Sequence, residues 1–546
     1  MITYSTENVR MPAIRRRDTT AWIRRVAATY NKKVGEVGYL FCDDAHILAV
    51  NREYLGHDYY TDIITFDYCE GDQLNGDIVI SLDTVRSNAE KFKKDYDEEL
   101  HRVIIHGILH LCGQNERTRR ARTDGGRRGQ SPKTKMIEEY EIMAPVGSRD
   151  SLAAAIQAGA DSVYFGIEKL NMRAHSASTF TIDDLREIAQ TCREHGMKSY
   201  LTVNTIIYGE DLPLMREIID AAKEAGISAV IASDVAVMQY CRHVGQEVHL
   251  STQLNISNIE ALRFYAQFAD VVVLARELRL EQVADIYRQV CEEHICGPGG
   301  EQIRIEMFCH GALCMAISGK CYMSLDAANR SAYRGECIQV CRRSYTVTDN
   351  ETGYQLEIDN KYIMSPKDLK TVRFIDKMMK AGVRVFKIEG RARGPEYVYT
   401  VVKCYKEAIQ AVLDGTFTTE RKDEWDRRLA TVFNRGFWDG YYQGQLMGEW
   451  NKEYGSCATE RKVYIGKGTK YYSKLGVAEF AVEANTFKVG DKLLITGPTT
   501  GVMYVTPQEI HDDDGAVEVA RQGTRVSIAV TGKVRPSDKL FKLVEQ

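Results

Sequence analysis

Long apolar runs are missing from this sequence of 546 residues. No uninterrupted stretch approaches the length of a membrane span, which excludes a membrane-crossing helix. The opening MITYSTENVRMPAIRRRD lacks the apolar core of a secretory signal. Charge of one sign is scarce too: 72 Lys and Arg stand against 76 Asp and Glu, a formal net charge of −4. That balance excludes a wholly basic nucleic-acid coat and leaves local patches open. What is present suffices for folding, with 44% hydrophobic residues and a length that predicts two or three domains. A soluble, cytoplasmic chain is expected, without a membrane partner. In that compartment the 14 Cys predict thiols and metal ligands rather than a disulfide framework.

Residues 1–118 read as a small α+β domain. VGYLFCDDAHILAVNREYL predicts a strand and then a helix, and TDIITFDY and GDIVIS alternate like strands. DEELHRVIIHGILHLCG predicts a long helix, apolar at Leu100, Val103, Ile104, Ile108 and Leu111, with Gly113 as its stop. His106 and His110 stand four apart on one face, which suits two imidazoles on one zinc or a purely structural pair. Gly107 occupies the place of the general-base Glu of zinc peptidases, so proteolysis is disfavoured here.

NREYLGHDYYTDIITFDY, GDIVIS and HGILHLCG together resemble the YbeY family of zinc-dependent endoribonucleases of ribosomal RNA maturation. The resemblance implies Zn2+ held by His106, His110 and a third ligand six residues on, here Glu116. It makes the His pair the catalytic centre, with ribosomal RNA and the ribosome as partners. The metal would polarise a phosphate oxygen or activate water. Leu55 stands where the family carries Arg.

The run RTRRARTDGGRRGQSPKTKM, residues 117–136, carries eight Lys or Arg against Asp124 alone, with no aromatic and no leucine. It has three readings: a solvated linker, a basic RNA-binding tail, or an out-of-frame junction at 119–135. In the shifted frame Arg122-Thr123-Asp124 can encode Glu-Leu-Met, and Gly125 to Gly129 can encode Glu-Ala-Ala-Glu-Asp. Met136 followed by Ile137 then contains the stop TGA. The hidden reading resembles the terminal helix that the YbeY family has and this chain lacks, so two adjacent genes joined out of frame is the favoured expectation.

From 136 to 455 the texture is strand and helix in alternation. EIMAP, DSVYFG, KSYLTVN, AVIAS, EVHLST, VVVLAR, RIEMFCHG and VFKIEG supply eight strands, which predicts a (β/α)8 barrel with its chemistry where strands end. Polar residues gather there: Asn204, Asp234, Gln253, Asn255, Arg276, Glu277, His310, Glu389 and Arg391. Between the seventh and eighth strands lies an insertion holding Cys309, Cys314, Cys321, Cys337 and Cys341. Thiols gathered in a loop rich in Gly, Ser and Asn point to a metal. Their wide, uneven spacing suits an iron–sulfur cluster better than zinc.

CHGALCMAISGKCYMS, RGECIQVCR, SPKDL, KIEGR and FNRGFWDGYY resemble the collagenase-like family of unassigned peptidases, understood as iron–sulfur RNA hydroxylation proteins and related hydroxylases. The resemblance implies a [4Fe-4S] cluster on Cys314, Cys321, Cys337 and Cys341, with Cys309 outside the motif. Length and domain content resemble the TrhP-like tRNA 5-hydroxyuridine branch, which implies prephenate as co-substrate and tRNA as partner. Arg276 and Arg391 are the candidate carboxylate partners, with Glu277, His310 and Glu389 as further substrate contacts. No nucleophile elbow or zincin helix supports a peptidase. A collagenase-like peptidase and a non-catalytic RNA-binding cluster protein remain as alternatives.

Residues 456–546 alternate apolar and polar with turn signals between, which predicts a C-terminal antiparallel β-barrel. VGDKLLITGP resembles the β-barrel of translation factors, and Tyr471 and Tyr472 beside Lys470 and Lys474 are candidates for stacking on RNA. The whole is expected to be an α/β multidomain chain holding two RNA-processing activities.

Overall fold

Leu100, Val103, Ile104, Ile108 and Leu111 all turn inward in the first of two units, Met1–Gln130 and Ser131–Gln546, because residues three and four apart share one helix face. A computed structural model of the chain describes residues 2–30, 32–55, 61–69, 71–91, 95–112, 139–174, 180–343, 345–356, 365–446, 448–451 and 455–546. Glu116 and the junction 119–135 lie outside the described residues.

The first unit comprises β1 (Ile2–Thr6), α1 (Arg16–Thr29), β2 (Lys33–Cys42), α2 (Asp44–Leu55), β3 (Ile63–Asp67), β4 (Gln73–Ser81), α3 (Leu82–Lys91) and α4 (Tyr96–Leu111). Its sheet runs β1-β2-β4-β3, parallel except for the β3–β4 pair. Asp95 caps α4 by accepting from the Asp97 N–H at 2.9 Å, leaving the apolar face of the helix against the sheet. Gly107 explains itself here. A Cβ at that position would come within 2.9 Å of Ile78 side-chain atoms, so the helix needs its smallest residue where it crosses β4. A Glu would not fit there.

The second unit closes eight parallel strands into a barrel: β5 (Glu141–Pro145), β6 (Ser162–Phe165), β7 (Lys198–Val203), β8 (Ala229–Ala232), β9 (Val248–Leu250), β10 (Val271–Val273), β11 (Arg304–Gly311) and β12 (Val383–Ile388). They pair in chain order, and β12 returns to β5. All eight fall on the expected runs, since strands covered on both faces read as continuous apolar stretches. Ser148 caps the first outer helix, Arg149–Ala158, and Gly159 ends it with φ +77°.

The C-terminal strands form an eight-stranded sheet, antiparallel throughout, around Ile465, Phe480, Phe487, Leu493, Val526 and Leu540. No pairing among the described residues closes it edge to edge. Texture changes near residue 456, but packing does not. Leu494 and Val502 are buried in the barrel's own core, and Gln157 donates to the Thr500 carbonyl at 2.7 Å while accepting from the Val502 N–H at 2.8 Å. Barrel and sheet therefore form one compact unit.

Inside the barrel, Met143, Tyr164, Tyr200, Ile231, Val271 and Val385 meet as an apolar layer. Near the N-terminal ends of the strands, buried Glu141 accepts from Tyr200 Oη at 2.7 Å, Ser162 Oγ at 2.8 Å and Arg304 Nη1 at 2.9 Å. Burial alone would raise its carboxyl, but Arg304, Lys198 and His249 outweigh that and hold it at about 2. This stabilisation is present above the ordinary carboxylate range and is lost as pH falls towards the depressed value. Resistance of the second unit to urea is expected to fall as pH drops from about 5 to about 2. Glu141→Gln should flatten that dependence and remove about 3 kcal/mol of stability at pH 7. An unchanged pH profile in the variant would refute the assignment.

Candidate functional site

At the C-terminal ends of the barrel strands opens a cavity of about 440 Å3, where this architecture places its chemistry. Its floor is Lys387, whose Nζ is held from beneath by Glu306 Oε1 at 2.7 Å, with both side chains buried. Lys387 Nζ lies 4.7 Å from the centroid of the Tyr164 ring and 5.7 Å from that of Phe308. Just beyond β12, Glu389 accepts from Tyr164 Oη at 3.2 Å and pairs with Arg173 Nη2 at 3.0 Å. Burial opposes ionisation of Glu389, but Arg173 and Arg391 outweigh it and hold the carboxyl below its usual range.

Arg391 donates from Nη1 to Thr202 Oγ1 at 2.8 Å and to Asn171 Oδ1 at 3.2 Å, while its buried Nε has no hydrogen-bond partner. Arg276 donates from Nη2 to Ser318 Oγ at 2.7 Å, with its guanidinium 5.4 Å from the centroid of the Phe308 ring. Glu389, the one carboxylate among the described residues lining this cavity, is taken by Arg173, and Lys387 is taken by Glu306 beneath it, which leaves Arg276, Arg391 and further cations facing the space. That imbalance suits an anionic ligand.

The insertion between β11 and β12 covers one side of the cavity. Cys314, Cys321, Cys337 and Cys341 all line it, none in a disulfide, Cys314 exposed and the other three half-buried. Burial pushes the Cys341 thiol up, Arg342 opposes the rise, and Cys314, Cys337 and Cys321 add to it. Arg342 clips the insertion shut: Nη2 donates to the Leu313 carbonyl at 2.7 Å, and Nη1 donates to Ser365 Oγ at 2.8 Å and the Pro366 carbonyl at 2.7 Å. Among the described residues no three His, Cys, Asp or Glu side chains gather tightly enough for a single metal ion. Four thiols lining one cavity beside a guanidinium are a donor set that an iron–sulfur group can use.

In the first unit, α4 brings His106 Nε2 and His110 Nε2 to 3.0 Å. Thr65 Oγ1 of β3 lies 3.2 Å from His110 Nδ1. With Nδ1–H donating to that hydroxyl, Nε2 keeps its lone pair for a metal. His106 Nδ1 is buried with no hydrogen-bond partner. Two converging imidazoles fit a zinc ion as part of its ligand set.

Of the residues singled out in the larger unit, the structure brings the four cysteines, Arg276, Glu389 and Arg391 to one cavity. It does not bring Glu277 or His310 there. Glu277 is exposed outside it, and the corrected place of His310 is among the rings of Tyr397, Tyr405 and Phe437, where burial, Lys370 and Arg393 lower its imidazole to about 3. Cys309 is fully buried in β11, a packed strand residue. Sequence reasoning missed Arg173, Tyr164 and Lys387. Lys387 was findable, since on β12 it stands two residues before Glu389 and so shares its inward face.

Residues 147–452 match the model of peptidase family U32, and residues 2–124 match that of endoribonuclease YbeY. The chain is 64% identical over 406 residues to a protein named collagenase from Porphyromonas gingivalis, a match covering 74% of this chain and 98% of that protein. It is 31% identical over 422 residues to tRNA hydroxylation protein P1 of Bacillus subtilis, covering 74% and 96%. Endoribonuclease YbeY of Phocaeicola vulgatus is 68% identical over 117 residues, covering 21% of this chain and 85% of that protein.

The position that sets Glu389 against the insertion is Gly311, at φ +103°. A Cβ there would collide with the Glu389 carbonyl and come within 2.9 Å of Tyr397 Oη. Gly311→Ala is expected to destabilise the second unit by about 1–3 kcal/mol. A urea midpoint equal to that of the wild type would show that the strand ends are not held as described.

Proposed function

The chain belongs to the U32 peptidase family over its larger unit and to the YbeY endoribonuclease family over its smaller one, and from that premise we propose two RNA-directed activities on this polypeptide. The larger unit is read as a tRNA uridine 5-hydroxylation enzyme that uses prephenate. The observation that carries this reading is the set of four thiols bordering a cation-lined cavity at the barrel mouth. Cys314, Cys321, Cys337 and Cys341 would hold a [4Fe-4S] cluster, which supplies one-electron chemistry beside the substrate. Arg276 and Arg391 would hold a carboxylate co-substrate, while Lys387 and Arg173, paired with Glu306 and Glu389, fix the floor and rim around it. The 31% identical relative named as a tRNA hydroxylation protein supports the reading.

The 64% identical relative named collagenase favours a second reading, a peptidase. Against it, no histidine lines the cavity among the described residues, so no imidazole stands ready to activate a Cys or Ser there. The two readings part on one variant. Cys337→Ser should abolish the hydroxylated uridine in cellular tRNA, read by nucleoside mass spectrometry, whereas a peptidase without a cluster would keep cleaving gelatin. Normal hydroxylation in that variant would reject the cluster assignment.

The smaller unit is read as a zinc-dependent endoribonuclease of ribosomal RNA maturation, with His106, His110 and Glu116 as ligands. His110→Ala should abolish cleavage of single-stranded RNA. Thr65→Val, which removes the partner of His110 Nδ1, should weaken zinc by roughly 10–100-fold in chelator competition. Equal affinity would mean that the threonine does not orient the ring.

Residues 119–135 are read as an out-of-frame joint between two neighbouring enzymes. Supporting this, separate relatives account for the two parts, and the YbeY relative is matched over only 85% of its own length. Intact-mass measurement of the natively expressed protein should give two species, one beginning at Met136. A single species of 61.8 kDa would make the basic run a true linker.

A further inference from the structure

The cysteine insertion has an outer side as well as an inner one. Behind it lies a second cavity of about 450 Å3, lined by Cys337, Arg342, Arg343, Phe433, Arg435 and Asn451 among others. No carboxylate lines it among the described residues. Asp368, its side chain only 2% exposed, lies 3.5 Å from Arg435. Arg393 stacks 3.6 Å from the centroid of the Phe433 ring, and Arg435 lies 5.3 Å from the same centroid. Arg342 spends its hydrogen bonds on carbonyls and a hydroxyl, so that its donors bind no carboxylate.

Among the described residues, several guanidiniums thus stand beside one buried carboxylate at the edge of an open space. Crowded, partly buried positive charge is costly unless an anion joins it. Guanidinium forks match phosphate oxygens two at a time. The two cavities are also neighbours: Cys337, Gln339, Arg342 and Arg435 border both. A small free anion would fill one of them, whereas a strand with charge on its backbone and a base to one side fits the pair. Tyr322, 72% exposed, stands on the lining of the inner cavity beside Lys320 and offers a ring on which such a base can stack.

We propose that the outer cavity seats a backbone phosphate of single-stranded RNA through Arg343 and Arg435, so that a neighbouring base turns past the insertion into the barrel cavity. This rests on the RNA reading of the larger unit. It assigns the recognition of substrate backbone to the outer side of the cysteine insertion.

The test is the salt dependence of binding. Full chain purified without oxygen is titrated onto a fluorescent, unmodified anticodon stem-loop over a range of salt concentrations. Arg343→Gln and Arg435→Gln should each weaken binding and lower the slope of log affinity against log salt by about 0.7, the value for one phosphate contact to a single strand. Arg343→Lys should restore most of the slope. Arg186→Gln, exposed on the outer helix Asp184–Glu194, serves as control and should keep it. Excess unlabelled homopolymer RNA occupies the smaller unit and the basic run in every titration, so the difference from the wild type reports the larger unit.

Unchanged slopes in both Gln variants overturn the proposal. A shifted cluster reduction potential in Arg435→Gln with unchanged RNA affinity also overturns it, since the guanidiniums would then serve as the cluster's counter-charge. Hydroxylated tRNA that disappears in Cys337→Ser, with the slope intact in Arg343→Gln, rejects the phosphate seat alone. tRNA unaffected by Cys337→Ser rejects the RNA reading and the seat together.

Discussion

A closed barrel of parallel strands has to fill its own interior, and this one fills part of it with charge. Three carboxylates are stacked along it, Glu141 near one end, Glu306 in the middle and Glu389 at the other. Each is matched by a cation from another part of the chain: Arg304, Lys387 and Arg173. Such pairs are poor sources of net stability, because desolvation offsets most of their attraction. Their value is geometric. An ion pair tolerates little displacement, so the Lys387–Glu306 pair fixes the cavity floor, and Tyr164 and Arg173 fix the Glu389 rim above it.

The insertion inherits that order. Arg276 reaches it through Ser318, and Arg334 ties it to Asp211 at 2.6 Å and to the Ile206 carbonyl at 2.7 Å. A loop with little regular structure is thereby held to the barrel rim at several points, with Arg342 joining its two ends. The four thiols are presented by a scaffold positioned through charge-assisted bonds instead of a hydrophobic core. Conformational freedom spent in advance this way is not spent when a ligand arrives.

The barrel was legible because buried parallel strands leave unmistakable apolar runs, and the helix of His106 and His110 because one face of it had to be apolar. The N-terminal β1 and α1 were not legible: their residues are half-exposed and mostly polar, and only pairing with β2 makes Ile2–Thr6 a strand. Arg173 was hidden in a loop, where sequence gives no direction to a side chain. His310 and Glu277 looked like site residues because they end strands, but a register irregularity between Phe308 and His310 breaks the alternation and puts His310 among Tyr397, Tyr405 and Phe437, and Glu277 lies exposed past the end of its strand. Composition records the change from mixed to all-β structure, yet is silent on Leu494 and Val502 facing the barrel.

That shared core has a consequence for biosynthesis. Gln157, on the first outer helix, waits for Thr500 and Val502, which follow it by 343 and 345 residues. At ordinary elongation rates of about 5–20 residues per second, the interval is roughly 20–70 seconds. Throughout it, the face of the helix Arg149–Ala158 destined for Val502 is bare while the rest of the barrel is being made. The nascent second unit therefore carries this unpaired face through most of its synthesis, exposing apolar surface as folding intermediates do.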